Sequence, residues 1–327
     1  MLGQKRAWIA VTVASCALAT VLVHSITADD SHAATPNAAT PNAAASSTDV
    51  PNAAASSPTE TTTVAPTSSP TPTRSPSSTS TRTPAPEAAA SVPDTKALTA
   101  RLTQLFGAGN SFSVAALDLS TGQSVTAGAN SGMTEASVVK LDILETAIYQ
   151  SQQGESFDQA DAEEMMEQSD NVAADQVFQG IGGNSALEQY NSLIGLTSTT
   201  LDPDGVWGLS VTSASDQLKL MRALVSASSP LNAASRQYAL QLMGDVEADQ
   251  DWGVSAAADS GAPTELKNGW LNIDSDNGLW AVNSAGLTTV SGDPVLLVVL
   301  SQHQPDYQTG VDRVEAGAQL LAKTLTS

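Results

Sequence analysis

Cysteine is almost missing from this chain, and Cys16 is the single one. No intramolecular disulfide can form. Because Cys16 lies ahead of any foldable stretch, that stretch has neither a Cys nucleophile nor a Cys-based metal site. Histidine is nearly as scarce. Of three, only His303 follows residue 94, so a His-dependent nucleophilic triad would have to run through that one side chain. Basic residues are few, 13 Lys and Arg against 34 Asp and Glu, for a net charge of −21. From Asp94 onward the counts are 9 and 29. Such a surface repels phosphate backbones, so no nucleic acid is expected as a partner. The same scarcity makes each lysine informative: beyond residue 94 there are only Lys96, Lys140, Lys219, Lys267 and Lys323. Large apolar residues are almost absent between Val23 and Asp94.

That last gap divides the chain in three. Lys5 and Arg6 precede an apolar run of 17 residues, Ala7 to Val23. A basic start followed by an apolar core reads as an export signal within residues 1–33. The run sits at the lower limit for a spanning helix, so cleavage after Ala33 and retention as a signal anchor both stay open. Val13-Ala14-Ser15-Cys16 superficially looks like a lipidation box. The apolar run continues well past Cys16, however, which favours a small membrane residue there. Residues 34–93 are low-complexity, with Pro41-Asn42-Ala43-Ala44-Ala45-Ser46-Ser47 repeated from Pro51 to Ser57. Such a segment cannot bury enough apolar surface to offset its ordering entropy, and its prolines keep it extended. A disordered Ala/Ser/Thr/Pro linker is expected, holding a domain away from the membrane across a cell wall. Residues 94–327 number 234 and have ordinary apolar content, enough for one substantial core.

Within that domain Asp94 can cap a helix through Phe106, with Leu98, Leu102 and Leu105 on one stripe. Residues 113–119 alternate as a strand, Ser120-Thr121-Gly122-Gln123 turns it, and 124–127 completes a hairpin. A helix is predicted from Ala136 to Gln152, and more over 158–168, 172–179, 186–193 and 213–227. The last third turns to strands at 265–271, 278–284 and 295–301, and a closing helix runs from Val311 to Leu325. The fold class is α+β: an antiparallel sheet shared by the two ends of the domain, flanked by helices, plus an all-helical lobe.

Three short motifs carry chemistry. Ser137-Val138-Val139-Lys140 is the only S-x-x-K in the chain. At the start of a helix it puts an amine within reach of a hydroxyl, and a serine hydroxyl needs such a proton acceptor to become a nucleophile. The helix N-terminus also offers backbone N–H groups to a developing oxyanion. Ser169-Asp170-Asn171 opens the next strong helix and alone would pass for an N-cap. Lys267-Asn268-Gly269-Trp270 lies on the first C-terminal strand, where glycine permits close backbone approach.

In that order the three motifs resemble the signature of β-lactamases and penicillin-binding proteins, and of class A β-lactamases in particular, over most of residues 94–327. Supporting stretches are Ser169 to Asp175, Ile181-Gly182-Gly183, Thr212 to Asp216 and Trp280 to Asn283. The resemblance implies roles. Ser137 attacks the carbonyl, and Lys140 takes or relays its proton. Ser169 hands a proton to the leaving nitrogen. Asn171 orients substrate and Lys140, and Lys267 attracts the substrate carboxylate. The backbone N–H groups of Ser137 and Trp270, beside Gly269, form the oxyanion hole. The implied substrate is a small β-lactam or a peptidoglycan peptide, hydrolysed through a serine ester at the cell wall, on the extracellular side of the membrane. The membrane would be touched through the N-terminal segment only. A monomer without metal or cofactor is expected.

The chain departs from the family pattern at three places. Asn268 stands where the family has Thr or Ser, replacing a hydroxyl that binds carboxylate with an amide. The stretch Leu201-Asp202-Pro203-Asp204-Gly205-Val206-Trp207-Gly208 is short and lacks the Glu that activates hydrolytic water. Asp202 or Asp204 could substitute, but the bland reading is turn residues. Only 28 residues separate Lys140 from Ser169, so the helical lobe is expected to be trimmed and the cleft widened. These departures leave room for a slow-deacylating or inactive penicillin-binding or sensor module, or a D,D-carboxypeptidase. His303 reads as a loop residue, and Asp161-Ala162-Glu163-Glu164 as a solvated helix face.

Overall fold

The computed structural model describes residues 94–109 and 111–326. The signal and linker readings therefore lie outside the described residues. In chain order the elements are α1 (Thr95–Phe106), β1 (Phe112–Asp118), β2 (Ser124–Gly128), β3 (Met133–Thr134), α2 (Val139–Ser151), α3 (Gln159–Glu167), α4 (Asn171–Ile181), α5 (Asn184–Ile194), β4 (Val211–Thr212), α6 (Ala214–Val225), α7 (Ala233–Gly244), β5 (Glu265–Ile273), β6 (Leu279–Val290), β7 (Asp293–Gln304) and α8 (Tyr307–Leu325). Asp94 caps α1 as expected, accepting the Ala97 N–H at 2.9 Å. Ser213 caps α6 in the same way through the Asp216 N–H.

Five strands form one antiparallel sheet in the order β2-β1-β7-β6-β5, so the first hairpin and the C-terminal strands do share it. β1 is buried along its length and β7 from Val295 to Gln302, and their period-2 alternation separates two cores rather than core from solvent. Ala115, Leu117, Leu296, Val298 and Leu300 face the helical lobe of α2 to α7. Val114, Ala116, Val295, Leu297 and Val299 face α1 and α8. At roughly 25 cal/mol per Å² of apolar surface, two such layers are the main stabilising term. In the helical lobe α3 alone separates α2 from Ser169.

Helix α7 has no counterpart in the sequence reading. Only Ala239, Leu242 and Met243 are buried on it, so its apolar stripe is too short to register as a helical period. Asn232, accepting the Ser235 N–H at 3.0 Å, sets its start instead. His303 lies inside β7 rather than in a loop. Its backbone has φ +61°, and its exposed ring meets the Asp276 carboxylate in the β5–β6 turn at 2.5 Å. Glu163 and Glu164 on α3 are exposed, as a solvated face requires.

Candidate active site

Ser137 sits in a 3-10 turn, Ala136–Val138, that runs into α2. Ala136 is held at φ +49°, in the left-handed region where a non-glycine residue is strained. Three neighbours fix this turn. Asn283 on β6 donates to Thr134 O at 2.9 Å and to Glu135 O at 3.0 Å. The Glu135 N–H donates to Ser210 O at 2.9 Å. Gly269 on the edge strand β5 lies against it so closely that a Cβ there would stand 2.6 Å from Val138 N and 2.7 Å from Ser137 N. The close approach that this glycine permits is thus made by the chain's own nucleophile turn.

Lys140 is fully buried in the first turn of α2. Its amine donates to Ser169 O at 2.6 Å, to Asn171 Oδ1 at 2.8 Å and to Ser169 Oγ at 3.2 Å. Ser169, at φ +56°, bends the chain from α3 into α4. Asp170 then caps α4 through the Ala173 N–H at 2.8 Å, so the capping reading holds for Asp170 alone. From β5 the equally buried Lys267 reaches the same Ser169 Oγ at 3.0 Å, and Asn268 O at 3.0 Å. Ser169 Oγ therefore accepts from two amines, and its own O–H is left to donate elsewhere. No hydrogen bond joins Lys140 to Ser137 among the described residues. Such contacts often tighten only once substrate is bound.

Burial pushes the Lys140 amine down to about 7, although Asp170 and Asp175 pull the other way. Burial, and then the charge of Lys140, hold Lys267 well below the usual lysine range. An amine that titrates near neutrality can take a proton from a serine hydroxyl at physiological pH.

Strand alternation separates the rest of the third motif. Lys267 and Gly269 face the nucleophile turn, while Asn268 and Trp270 face the other way. Asn268 is buried, and its amide donates to Gln250 O at 2.8 Å and Trp252 O at 3.1 Å. The amide that stands in place of the family's hydroxyl is thus engaged within the chain. The Trp270 ring packs against Trp252 and Tyr307 at centroid distances of 6.0 and 5.6 Å, so only its backbone can serve the site.

The loop before β4 carries turn residues, as the bland reading had it. Asp202 Oδ1 accepts the N–H groups of Asp204 and Val206 at 3.1 and 3.2 Å, and Asp204 is exposed. What the loop delivers instead is Trp207. Its ring centroid lies 5.1 Å from Lys140 Nζ, and its indole N–H donates to Asp175 Oδ1 on α4 at 2.8 Å. Sequence reasoning gave this tryptophan no role.

It also missed three carboxyls behind the nucleophile. Glu135, Asp142 and Glu145 are buried on the side of α2 facing α5 and α6. Glu135 accepts from Gln217 at 3.2 Å, and Glu145 accepts from the Tyr190 hydroxyl at 2.8 Å. One oxygen of each acid has no partner. Burial raises all three, with Asp142 at about 7 and the others well above the carboxylate range. The available signal was that the apolar residues of α2, Val139, Leu141, Ile143, Leu144, Ala147 and Ile148, are not confined to one stripe, and the helix is buried on every side from Val139 to Ile148. Among the described residues no group of His, Cys, Asp or Glu is arranged to hold a metal ion.

Comparison with known proteins agrees with the geometry. The family model described as the Beta-lactamase enzyme family matches residues 159–325, a span that includes Ser169 and Lys267 but begins after Ser137 and Lys140. The fold is similar to that of a point mutant of PBP-A, described as an acyl-enzyme complex with penicillin G, at a TM-score of 0.59 and 19% identity over 70% of this chain and 96% of that one. A β-lactamase from Chitinophaga pinensis aligns with a TM-score of 0.61 and 18% identity over 69% and 98%. At these identities the likeness shows the fold alone. A Mycobacterium tuberculosis protein named "Putative lipoprotein LppW" is 32% identical over 133 residues, 39% of this chain. The match spans only 42% of that relative's length. The family model covers half of the sequence and the fold agrees with it over the rest of the domain: the chain belongs to the Beta-lactamase enzyme family.

Proposed function

We propose that the chain is a serine acyl-transfer hydrolase that opens β-lactams or related cell-wall peptides through an ester on Ser137. The observation that supports this reading best is the unbroken set of hydrogen bonds from Lys140 through Ser169 to Lys267, with the Ser137 turn seated on Gly269. Ser137 Oγ adds to the carbonyl carbon as its proton passes to the neutral Lys140 amine. Backbone N–H groups of Ser137 and Trp270 hold the oxyanion. The C–N bond then breaks, Ser169 gives its proton to the leaving nitrogen, and Lys140 restores the proton to Ser169. Asn171 orients both Lys140 and the substrate, and the positive end of Lys267 attracts the substrate carboxylate. Water finally cleaves the ester.

A second reading is favoured by one observation. An indole, and no carboxylate, lies over Lys140 on the side of the loop, so hydrolysis of the ester is slow and the protein behaves as a penicillin-binding or sensor module. Such an ester would equally serve a D,D-carboxypeptidase. The named relative and the export-type N-terminus support a location on the outer side of the membrane, held by residues 1–33 or secreted.

The test is intact mass spectrometry of the full-length protein after mixing with penicillin G. An adduct that forms and decays supports hydrolase action, and one that forms and persists supports the binding module. The proposal is lost if wild type gains no mass, or if Ser137→Ala gains the same adduct.

A further inference from the structure

We propose that Trp207, clasped through its indole N–H to Asp175, is a positioning residue that covers the Lys140 amine and keeps water from it. The inference rests on Lys140 being the proton acceptor of the proposed reaction and assigns control of that group to a residue outside the three motifs. The geometry is specific. The ring stands 5.1 Å from Nζ. Its N–H···Oδ1 bond of 2.8 Å ties the 201–210 loop to α4, and Asn184 Nδ2 pins the same loop at Asp202 O, 2.7 Å away. Lys140's own hydrogen bonds go to Ser169 and Asn171 and none to Trp207. The indole therefore packs beside the amine without taking part in its hydrogen bonds among the described residues.

An aromatic face over an amine acts in two opposed ways. Its quadrupole attracts the ammonium form, while its bulk denies that form water. With Lys140 down to about 7, burial dominates. The charged groups that act on the amine are Lys267 on β5 and Asp170 and Asp175 on α4. On its own helix Asp142 and Glu145 turn to α5, and Glu135, just ahead of the helix, turns to α6. None of these replaces the indole as cover.

The experiment is a pH titration of full-length protein carrying 13Cε-labelled lysine, read by NMR. The chain has six lysines, and Lys140 is assigned by the signal lost in Lys140→Met. In wild type its midpoint is expected near 7. In Trp207→Ala the midpoint moves upward by a pH unit or more, leaving at least about fivefold less free amine at pH 7. Trp207→Phe, which keeps a ring but not the clasp, stays nearer to wild type. Penicillin acylation of Ser137 at pH 7 falls in proportion in Trp207→Ala, and its acid limb moves to higher pH. An unchanged midpoint in a folded Trp207→Ala overturns the inference. If that variant does not fold, Trp207→Gln keeps an N–H for Asp175 but lays a polar amide on the amine, and the same upward shift, or its absence, decides. Failure of wild type to acylate at any pH would remove the proposed function, while the titration would still judge Trp207.

Discussion

The carboxyls behind the nucleophile make stability depend on pH in an unusual direction. A buried acid whose folded pKa is raised binds its proton in the native state while the unfolded chain has lost it, so stability falls as pH climbs. For Asp142 the window opens near its ordinary value of 3.8 and closes at about 7. Each pH unit within it is worth about 1.4 kcal/mol, so the full span comes to roughly 4 kcal/mol and the part above pH 5 to about 3 kcal/mol. Glu135 and Glu145 act with the same sign and over higher windows. The lysines oppose them. Lys140 is depressed to about 7, so it adds stability as pH rises from there toward 10.5. Asp142→Asn isolates one member of the set. It keeps the shape, leaves Thr146 and Asn191 a partner, and cannot ionise. Urea or guanidinium unfolding of wild type and variant from pH 5 to pH 8 is the assay. The variant should gain on wild type by about 3 kcal/mol across that range, or about 6–12 °C in Tm for a domain of this size. A stability difference that is flat with pH would refute the reasoning, because it would mean that Asp142 is ionised in the folded state as it is in the unfolded one.

Gly269→Ala tests the seating of the nucleophile turn. The new methyl must push backbone atoms from 2.6 Å out by about 0.8 Å to reach ordinary contact, so acylation of Ser137, followed by mass, should fall by about 100-fold or more. Acylation within a few-fold of wild type would show that the turn is free to move. Asn268→Thr brings the third motif closer to the family form but removes two buried amide donors from Gln250 O and Trp252 O. It should lower stability by about 1–3 kcal/mol without speeding acylation, and faster acylation with unchanged Tm would contradict the assigned orientation of Asn268.

How much of this could be read from the sequence follows from the physics of each feature. Lys140, Ser169 and Lys267 were legible because their chemistry demands those residue types, and three widely spaced motifs rarely coincide by chance. The orientation of Asn268 was also within reach, since residues 267 and 269 must share one face of a strand and 268 the other. Trp207 was not legible. Its position over Lys140 depends on a loop path fixed by contacts with Asp175 and Asn184, residues 32 and 18 positions or more away in sequence, and nothing local encodes that. The three acids lay between these cases. Read singly, Asp142 and Glu145 look like ordinary helix surface, and only the spread of apolar residues round α2 from Val139 to Ile148 hints that they lie inside. Helix α7 was lost because its three buried residues do not repeat often enough to make a period.

The two buried clusters on either side of Ser137 also bear on each other. If the carboxyls were close partners of the lysines, the acids would be driven down and the amines up, as in any ion pair. The shifts run in the reverse sense on both sides, so each cluster is held toward neutrality by its own loss of water. Near pH 7 Lys267, Glu135 and Glu145 are therefore held toward their neutral forms, while Lys140 and Asp142 are each close to their midpoints. In molecules whose Lys140 is neutral, positive charge arises there when the proton of Ser137 arrives, at the moment negative charge develops on the substrate carbonyl. An ammonium charged in advance would stabilise the resting site and the transition state alike and could accept no proton. An amine that becomes charged in the reacting step favours the transition state selectively, and a dry environment strengthens that interaction. The cover that Trp207 supplies and the protonated acids behind α2 are in this sense two parts of one arrangement, and substitutions at Trp207 and Asp142 should alter the pH dependence of acylation at opposite sides of the same helix.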